Sequence, residues 1–91
     1  MTSRTTERLR RTLARLPQQV RRQARQAYRP FQQNPHHPTL RFKQVHPVKG
    51  IYSVRVSLDY RALGARDQDE IVWFWIGSHS DCESLLVRLS Q

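Results

Sequence analysis

Apolar residues recur at helical spacing near the start of the chain. Leu9, Leu13 and Leu16 lie at i, i+4 and i+7, the spacing that places side chains on one face of a helix. They predict a first helix over residues 6–16, whose leucine stripe packs against the rest of the protein.

A proline separates this helix from a second one. Pro17 is disfavoured inside a helix but suits the first position of a new one. A second helix is therefore predicted over residues 17–33, ending earlier only if Pro30 interrupts it. Its apolar stripe consists of Val20, Ala24, Ala27 and Phe31. The two helices are expected to form a hairpin in which each buries one stripe.

After a proline-rich connector at residues 34–38, the apolar period changes from helical spacing to two. The predicted strands are residues 40–45, 52–60, 60–66 and 71–76. A loop is expected at residues 46–50, where Gly50 can take a positive φ. Residues 71–76 are apolar at every position, which predicts the middle strand of the sheet, covered on both faces.

The last segment predicts a short helix and completes the fold. Ser80 and Glu83 have the Ser-x-x-Glu spacing of a capping box, and leucines follow them. The predicted segments are a helical hairpin at about residues 6–33, an antiparallel sheet at about 40–78 and a C-terminal helix at about 81–90. They predict one α+β domain over residues 1–91, with helices on one face of a three- to four-stranded sheet. The opposite face is then expected to expose Ser53, Arg55 and Ser57.

Positive charge is the strongest feature of the composition. The 91 residues include 16 Lys and Arg against 7 Asp and Glu, a formal net charge of +9, and all but two of the cations are arginine. Guanidinium groups bind phosphates and carboxylates in bidentate geometry, so the expected partner is an anion. Arg4, Arg8, Arg11 and Arg15 predict a cationic stripe on the first helix. This stripe is either a nucleic-acid contact or a solvated helix face.

The same composition excludes several classes of protein. The length excludes a large multidomain enzyme, and the single cysteine, Cys82, excludes an intramolecular disulfide. The four histidines lie at no zinc-site spacing with it, so neither a metal nor a small-molecule cofactor is expected. No secretory signal or stretch of 18 apolar residues occurs, so no membrane contact is expected and the predicted location is the cytoplasm.

Three stretches of the chain resemble the RelE/ParE superfamily, the small toxins of bacterial type II toxin–antitoxin modules. They are His37-Pro38-Thr39-Leu40-Arg41-Phe42-Lys43, Tyr52-Ser53-Val54-Arg55-Val56-Ser57-Leu58-Asp59-Tyr60-Arg61 and Trp75-Ile76-Gly77-Ser78-His79-Ser80-Asp81. They cover roughly residues 36–86, and the helical hairpin before them fits the same RelE-like fold. The N-terminal strand of many members is not evident in residues 1–4.

Members that resemble RelE, YoeB and YafQ cleave messenger RNA on the ribosome, so the resemblance implies a metal-independent endoribonuclease. It implies that Arg55 and Arg61 hold the charged phosphorane and that His79 is the general acid or base. The expected substrate contacts are Arg41, Lys43, Ser53 and Cys82. Cys82 departs from the aromatic residue of many relatives, and its place near a helix N-terminus predicts a lowered thiol pKa.

Other interpretations stay open from sequence alone. Arg55 can pair with Asp59, His79 can be a polar residue at a strand end, and the aromatic run at residues 73–75 is expected in the core. Members that resemble ParE inhibit DNA gyrase without nuclease activity, which gives an alternative function. A third alternative is a small RNA-binding protein without toxicity. Both toxin interpretations predict a cognate antitoxin, and the ribonuclease interpretation adds RNA and the ribosome as partners.

Overall fold

The computed structural model describes residues 1–46 and 49–90. The elements are β1 (Thr2–Thr5), α1 (Glu7–Arg15), α2 (Gln18–Gln33), a 3₁₀ turn (Pro38–Leu40), β2 (Lys43–His46), β3 (Ile51–Arg55), β4 (Tyr60–Asp67), β5 (Glu70–Ser78) and α3 (His79–Leu89). The α+β fold class predicted from the sequence is confirmed. Part of the predicted loop, residues 47 and 48, lies outside the described residues, and Gly50 has the expected positive φ of 61°.

The helical hairpin forms where the apolar spacing predicts it. Thr6 caps α1, because its Oγ1 accepts a hydrogen bond from the Leu9 amide at 3.1 Å. Pro30 lies inside α2 and does not end it, since the helix continues to Gln33. The hairpin buries Leu9 and Phe31 against one face of the sheet. The described helices include none that is long and apolar enough to cross a membrane.

The described residues form a five-stranded sheet in the order β1-β5-β4-β3-β2. The sheet is mixed rather than purely antiparallel, because β1 pairs parallel to β5. The middle strand is β4, so the prediction that residues 71–76 form it is wrong, although β5 is covered on both faces as expected. A bulge in β5, opposite Leu63 and Gly64, turns both Phe74 and Trp75 towards the same face of the sheet. Trp73 packs in the apolar cluster on the other face, so all three aromatic residues belong to the core, as expected.

Strand β1 is absent from the sequence-based prediction. Its residues, Thr-Ser-Arg-Thr, carry no apolar alternation, so the backbone and one serine hold the strand in place. The Thr2 amide donates to the Asp69 carbonyl at 2.8 Å. Ser3 Oγ accepts hydrogen bonds from the Tyr28 hydroxyl at 2.9 Å and from Trp73 Nε1 at 3.1 Å. Ser3 therefore links β1 to both α2 and β5.

Helix α3 covers the sheet face opposite the hairpin. Half-buried leucines of α3 pack with Ile51 and Leu63 around Cys82 in a second apolar cluster. The prediction that all helices share one face is wrong, because both faces of this sheet are apolar and each needs cover. Ser53 is consequently buried beneath α3, with 1% of its surface exposed, instead of lying on an open surface.

The link between β3 and β4 also differs from its prediction. The alternating pattern at residues 52–60 predicts one strand, but β3 ends at Arg55 and a turn follows before Tyr60. Leu58 lies in this turn and is 82% exposed, so it is not covered by the hairpin. The turn places residues 56–59 at one end of the sheet.

We expect Ser3→Ala to lower the free energy of unfolding by about 1–3 kcal/mol, because the Tyr28 hydroxyl and the Trp73 indole N–H both lose their acceptor. Urea unfolding measures this change. Thr2→Ala, at an exposed position of the same strand, is the control and is expected to cost no more than about 0.5 kcal/mol. Equal losses in the two variants would contradict a linking role for Ser3.

Candidate functional site

Two arginines face each other at the end of the β3–β4 pair. Arg55 and Arg61 are Cα partners in this antiparallel ladder, so their side chains leave the same face of the sheet. Like charges directly opposite each other on neighbouring strands are destabilising. Within the described part of the chain, neither arginine makes an ion pair, and Arg55 does not pair with Asp59. The pair therefore concentrates positive charge without an internal counterion.

The start of α3 places an imidazole beside this pair. The His79 amide donates to the Asp59 carbonyl at 2.7 Å, which ties α3 to the β3–β4 turn. Arg61 Nε donates to His79 Nδ1 at 2.8 Å. A neutral imidazole that accepts at Nδ1 carries its proton on Nε2. His79 is therefore held in one tautomer by Arg61.

The cap of α3 differs from the predicted capping box. Ser78, rather than Ser80, caps the helix, and its Oγ accepts from the Asp81 amide at 3.1 Å. With Ser78 as its cap, α3 begins at His79, two residues earlier than predicted. The shift releases Glu83 from the capping role that the sequence assigns to it.

Glu83 belongs to the site, although it is not among the residues predicted from the sequence. Its Oε1 lies 3.6 Å from His79 Nε2, one helical turn away, and the two side chains are 63% and 49% exposed. An exposed pair of this kind contributes no more than about 1 kcal/mol. The signal that would have identified Glu83 is its i, i+4 spacing from His79.

Two adjoining clefts meet at Arg61 and His79. The first, which we name the arginine cleft, is lined by Arg41, Arg55, Leu58, Arg61 and His79. The second, the inner cleft, is lined by Lys43, Val45, Ser53, Arg61, His79, Cys82, Glu83 and Leu86. Together they bring every site residue predicted from the sequence to one end of the sheet. Their four Lys and Arg side chains outnumber the single carboxylate, that of Glu83.

Two cationic residues reach the clefts from the segment before β3. Arg41 follows the 3₁₀ turn with φ of 47° and ψ of 44°, a left-handed conformation that costs a residue with a Cβ about 1 kcal/mol. Lys43 is exposed at the start of β2, directly opposite Ser53 of β3. Both side chains therefore extend the positive charge beyond the Arg55–Arg61 pair.

Ser53 and Cys82 form the floor of the inner cleft instead of its accessible rim. Each is only 1% exposed, because α3 lies over this part of the sheet. Ser53 Oγ is buried and has no hydrogen-bond partner among the residues that the structure describes. Both residues therefore limit the depth of the cleft, and Ser53 does not offer the exposed surface that the sequence predicts.

The environment of Cys82 reverses the expected direction of its pKa shift. Burial raises the pKa of the Cys82 thiol, and the Glu83 carboxylate raises it further, while Arg61 opposes the rise. The prediction of a lowered pKa is wrong, because the loss of hydration and the Glu83 carboxylate together outweigh the lowering effect of Arg61 on the thiol pKa. Residues 1–46 and 49–90 contain no group of three or more His, Cys, Asp or Glu side chains placed to hold a metal ion.

A small basic α+β domain with this cleft resembles solved toxin structures. A chain of the RelB–RelE antitoxin–toxin complex from Methanococcus jannaschii matches 90% of this chain and 96% of its own length, at 13% identity and a TM-score of 0.71. The YoeB/ParE toxin from Agrobacterium tumefaciens matches 87% and 99% of the two chains at 12% identity and a TM-score of 0.64. YafQ from Escherichia coli matches 88% and 94% at 10% identity and a TM-score of 0.66. At these identities the likeness concerns the fold.

The sequence itself assigns the family. A sequence model of the ParE-like toxin domain matches residues 18–83, which is more than half of the chain. The chain belongs to the ParE-like toxin domain family, a class of toxins of toxin–antitoxin modules, and the predicted relation to the RelE/ParE superfamily is confirmed. No curated protein sequence matches the chain.

We expect Cys82 to resist alkylation in the folded protein at neutral pH, because burial both shields the thiol and keeps it protonated. Labelling with iodoacetamide, followed by mass spectrometry, should be about 100-fold slower than in guanidinium chloride. Equal labelling rates in the folded and unfolded protein would contradict the buried position.

The raised pKa of the Cys82 thiol also predicts a pH dependence of stability. As the pH rises through the ordinary thiol range, the unfolded chain ionises Cys82 before the folded protein does. The free energy of unfolding should therefore fall in alkaline solution, and Cys82→Ala should remove this part of the fall. Urea unfolding over this pH range measures the difference, and parallel profiles for the two proteins would contradict it.

Proposed function

We propose that this toxin is an endoribonuclease that cleaves messenger RNA at the ribosome, with the scissile phosphate between Arg55 and Arg61. The observation that carries the proposal is the unneutralised arginine pair with His79 hydrogen-bonded to one of its members at 2.8 Å. Cleavage of RNA requires that the 2′-hydroxyl loses its proton, the phosphorane charge is stabilised and the 5′-oxygen gains a proton.

The roles of the three residues follow from their chemistry. Arginine stays protonated at neutral pH, so Arg55 and Arg61 stabilise charge and do not transfer protons. A bound phosphate gives Arg61 a charged acceptor, which forms a stronger hydrogen bond than a neutral imidazole nitrogen does. Arg61 then releases His79 Nδ1, which becomes free to exchange a proton with the RNA. Substrate binding thereby switches His79 from a hydrogen-bond acceptor of Arg61 to the general acid or base.

The remaining cleft residues act on the substrate without transferring protons, so solvent water completes the proton transfer that His79 does not perform. Arg41 lines the arginine cleft and Lys43 the inner cleft, and in this proposal they contact phosphates on either side of the scissile one. Ser53 Oγ offers a free hydrogen bond to a group that reaches the floor of the inner cleft, and Cys82 limits the depth of that floor. In this proposal the protein acts in the cytoplasm, where ribosomes translate messenger RNA.

The proposed protein partner is a cognate antitoxin. The support comes from similar chains that were solved as RelB–RelE complexes from Methanococcus jannaschii and Pyrococcus horikoshii. The net charge of +9 suits an acidic partner, because complementary charge speeds association and selects the correct partner.

One observation favours a second function, the inhibition of a protein target such as DNA gyrase. Among the described residues that line the two clefts, none has an aromatic ring of the Phe, Tyr or Trp type that can stack on a nucleobase. Blocking a protein target requires no such ring. Inhibition of gyrase supercoiling by the purified protein, with intact messenger RNA in a translation extract, would favour this function over cleavage.

We expect Arg55→Gln and Arg61→Gln each to lower the rate of RNA cleavage about 10²–10³-fold, because each removes a group that stabilises the phosphorane. His79→Ala should lower it about 10²–10⁴-fold through the loss of proton transfer. Primer extension on messenger RNA in a translation extract measures these rates. Arg88→Gln, which removes the same charge from an exposed position of α3, is the matched control and should cleave normally.

Two results would contradict the catalytic roles. One is cleavage that persists when His79→Ala and Arg61→Ala are combined. The other is an equal loss in Arg88→Gln, which would assign the effect to net charge rather than to the cleft.

Glu83→Gln is expected to slow cleavage by no more than about fivefold, because the contact between these two exposed side chains, 3.6 Å apart, is worth about 1 kcal/mol or less. The same primer-extension assay measures this change, and Ser84→Ala on the neighbouring exposed position is its control. A loss as large as that of His79→Ala would show that Glu83 itself transfers a proton.

A further inference from the structure

We propose that the RNA site extends beyond the clefts, along a groove to the exposed face of α2, which binds the backbone of the same RNA strand. This inference rests on the proposed ribonuclease function, but it concerns residues that take no part in the chemistry. It assigns to α2 the recognition of RNA that flanks the cleavage position.

A groove lined by both polar and apolar residues connects the arginine cleft with α2. Its lining residues are Gln23, Gln26, Ala27, Pro30, Thr39, Leu40, Arg55 and Val56. Arg55 lines both the groove and the arginine cleft, so the two are continuous at this guanidinium group. An RNA strand that contacts Arg55 can therefore lie in the cleft on one side and in the groove on the other.

The exposed face of α2 consists of glutamine and arginine alone. Its members are Gln18, Gln19, Arg22, Arg25, Gln26, Arg29, Gln32 and Gln33, and the helix contains no acidic residue. Arg22, Arg25, Gln26 and Arg29 follow one stripe at i, i+3, i+4 and i+7. Gln26 belongs to both this stripe and the groove wall, so the arginines lie next to the groove.

These three arginines are available to a ligand. No hydrogen bond or ion pair engages the side chains of Arg22, Arg25 or Arg29 in the part of the chain that the structure describes. Seven residues of helix span about 10.5 Å, and a nucleic-acid strand carries one phosphate per about 3.4 Å of axis, so the stripe matches about three phosphates. A glutamine amide both donates and accepts, and can therefore bind phosphate oxygens and 2′-hydroxyl groups.

Helix α1 has arginines at the same spacing but in a different setting. Arg11 lies 3.7 Å from Glu7, and Arg4 of the stripe predicted on the first helix pairs with Glu70. That predicted stripe is therefore partly neutralised, and no residue of α1 lines the groove. Arg8, Arg11 and Arg15 thus provide a control with equal charge and equal spacing.

The test compares the binding of two 2′-O-methyl RNA probes, which lack the hydroxyl needed for cleavage. A trinucleotide can fill only the clefts, whereas a 12-nucleotide strand can reach α2 as well. One variant carries Arg22→Gln, Arg25→Gln and Arg29→Gln, and the control carries Arg8→Gln, Arg11→Gln and Arg15→Gln. Glutamine and arginine have similar helix propensities, and circular dichroism checks that both variants fold.

For the longer RNA, we expect the slope of log K against log salt concentration to be shallower by about two units in the α2 variant than in the unmodified protein. Its affinity for the trinucleotide should equal that of the unmodified protein. The α1 variant should lose less than about one unit of slope on the longer RNA.

Two results would overturn the extended site: an unchanged slope in the α2 variant, or equal slope losses in the two variants. If the trinucleotide binds and requires Arg55 and Arg61 while the α2 variant is unaffected, only the extension fails. If the unmodified protein binds neither RNA, the proposed ribonuclease function fails with it.

Discussion

The repulsion between two guanidinium groups held opposite each other is the constraint on which the site depends. Backbone pairing of β3 and β4 fixes Arg55 and Arg61 as neighbours, and like charges in such a pair cost up to about 1 kcal/mol. The sheet tolerates this cost because apolar clusters on both of its faces hold the strands in register. An anion between the two groups would convert the repulsion into two attractions, so the proposed phosphate site needs no rearrangement of the strands.

Helix α3 converts this charge into a site that is capable of chemistry. Its leucines pack on the sheet around Leu63, and the Ser78 cap begins the helix at His79. The backbone bond from His79 to the Asp59 carbonyl then fixes the imidazole next to Arg61. The same helix buries Ser53 and Cys82. Its packing on the sheet therefore both stabilises the second apolar cluster and determines the depth of the inner cleft.

The parts of the fold that could be predicted are those whose apolar residues follow a helical or strand period. The leucines of α1 and the alternating residues of β3 carry this signal, whereas β1 has four polar residues and depends on pairing partners distant in sequence. The leucines of α3 predict an apolar helix face but not which side of the sheet it covers. For that reason Ser53 is predicted as exposed when it is buried.

Among the cleft residues, too, some could be predicted from the sequence and others could not. Arg55, Arg61 and His79 could be predicted because the resemblance assigns them together, and the structure places them together. Glu83 is missed because the predicted cap at Ser80 leaves His79 outside the helix, so that its i, i+4 spacing from Glu83 goes unused. The pKa of Cys82 could not be predicted either, since the direction of its shift depends on burial by residues from β3 and β4.

Nuclear magnetic resonance of the arginine Nε–H groups tests most directly whether Arg55 and Arg61 hold one phosphate beside His79. During titration with a 2′-O-methyl dinucleotide, the signals of Arg55 and Arg61 should shift together and saturate at one equivalent. The coupling of Arg61 Nε–H to His79 Nδ1 should disappear, and the signal of Arg88 should stay in place. Shifts of equal size at Arg88, or no shift at the pair, would contradict a phosphate site between these two arginines.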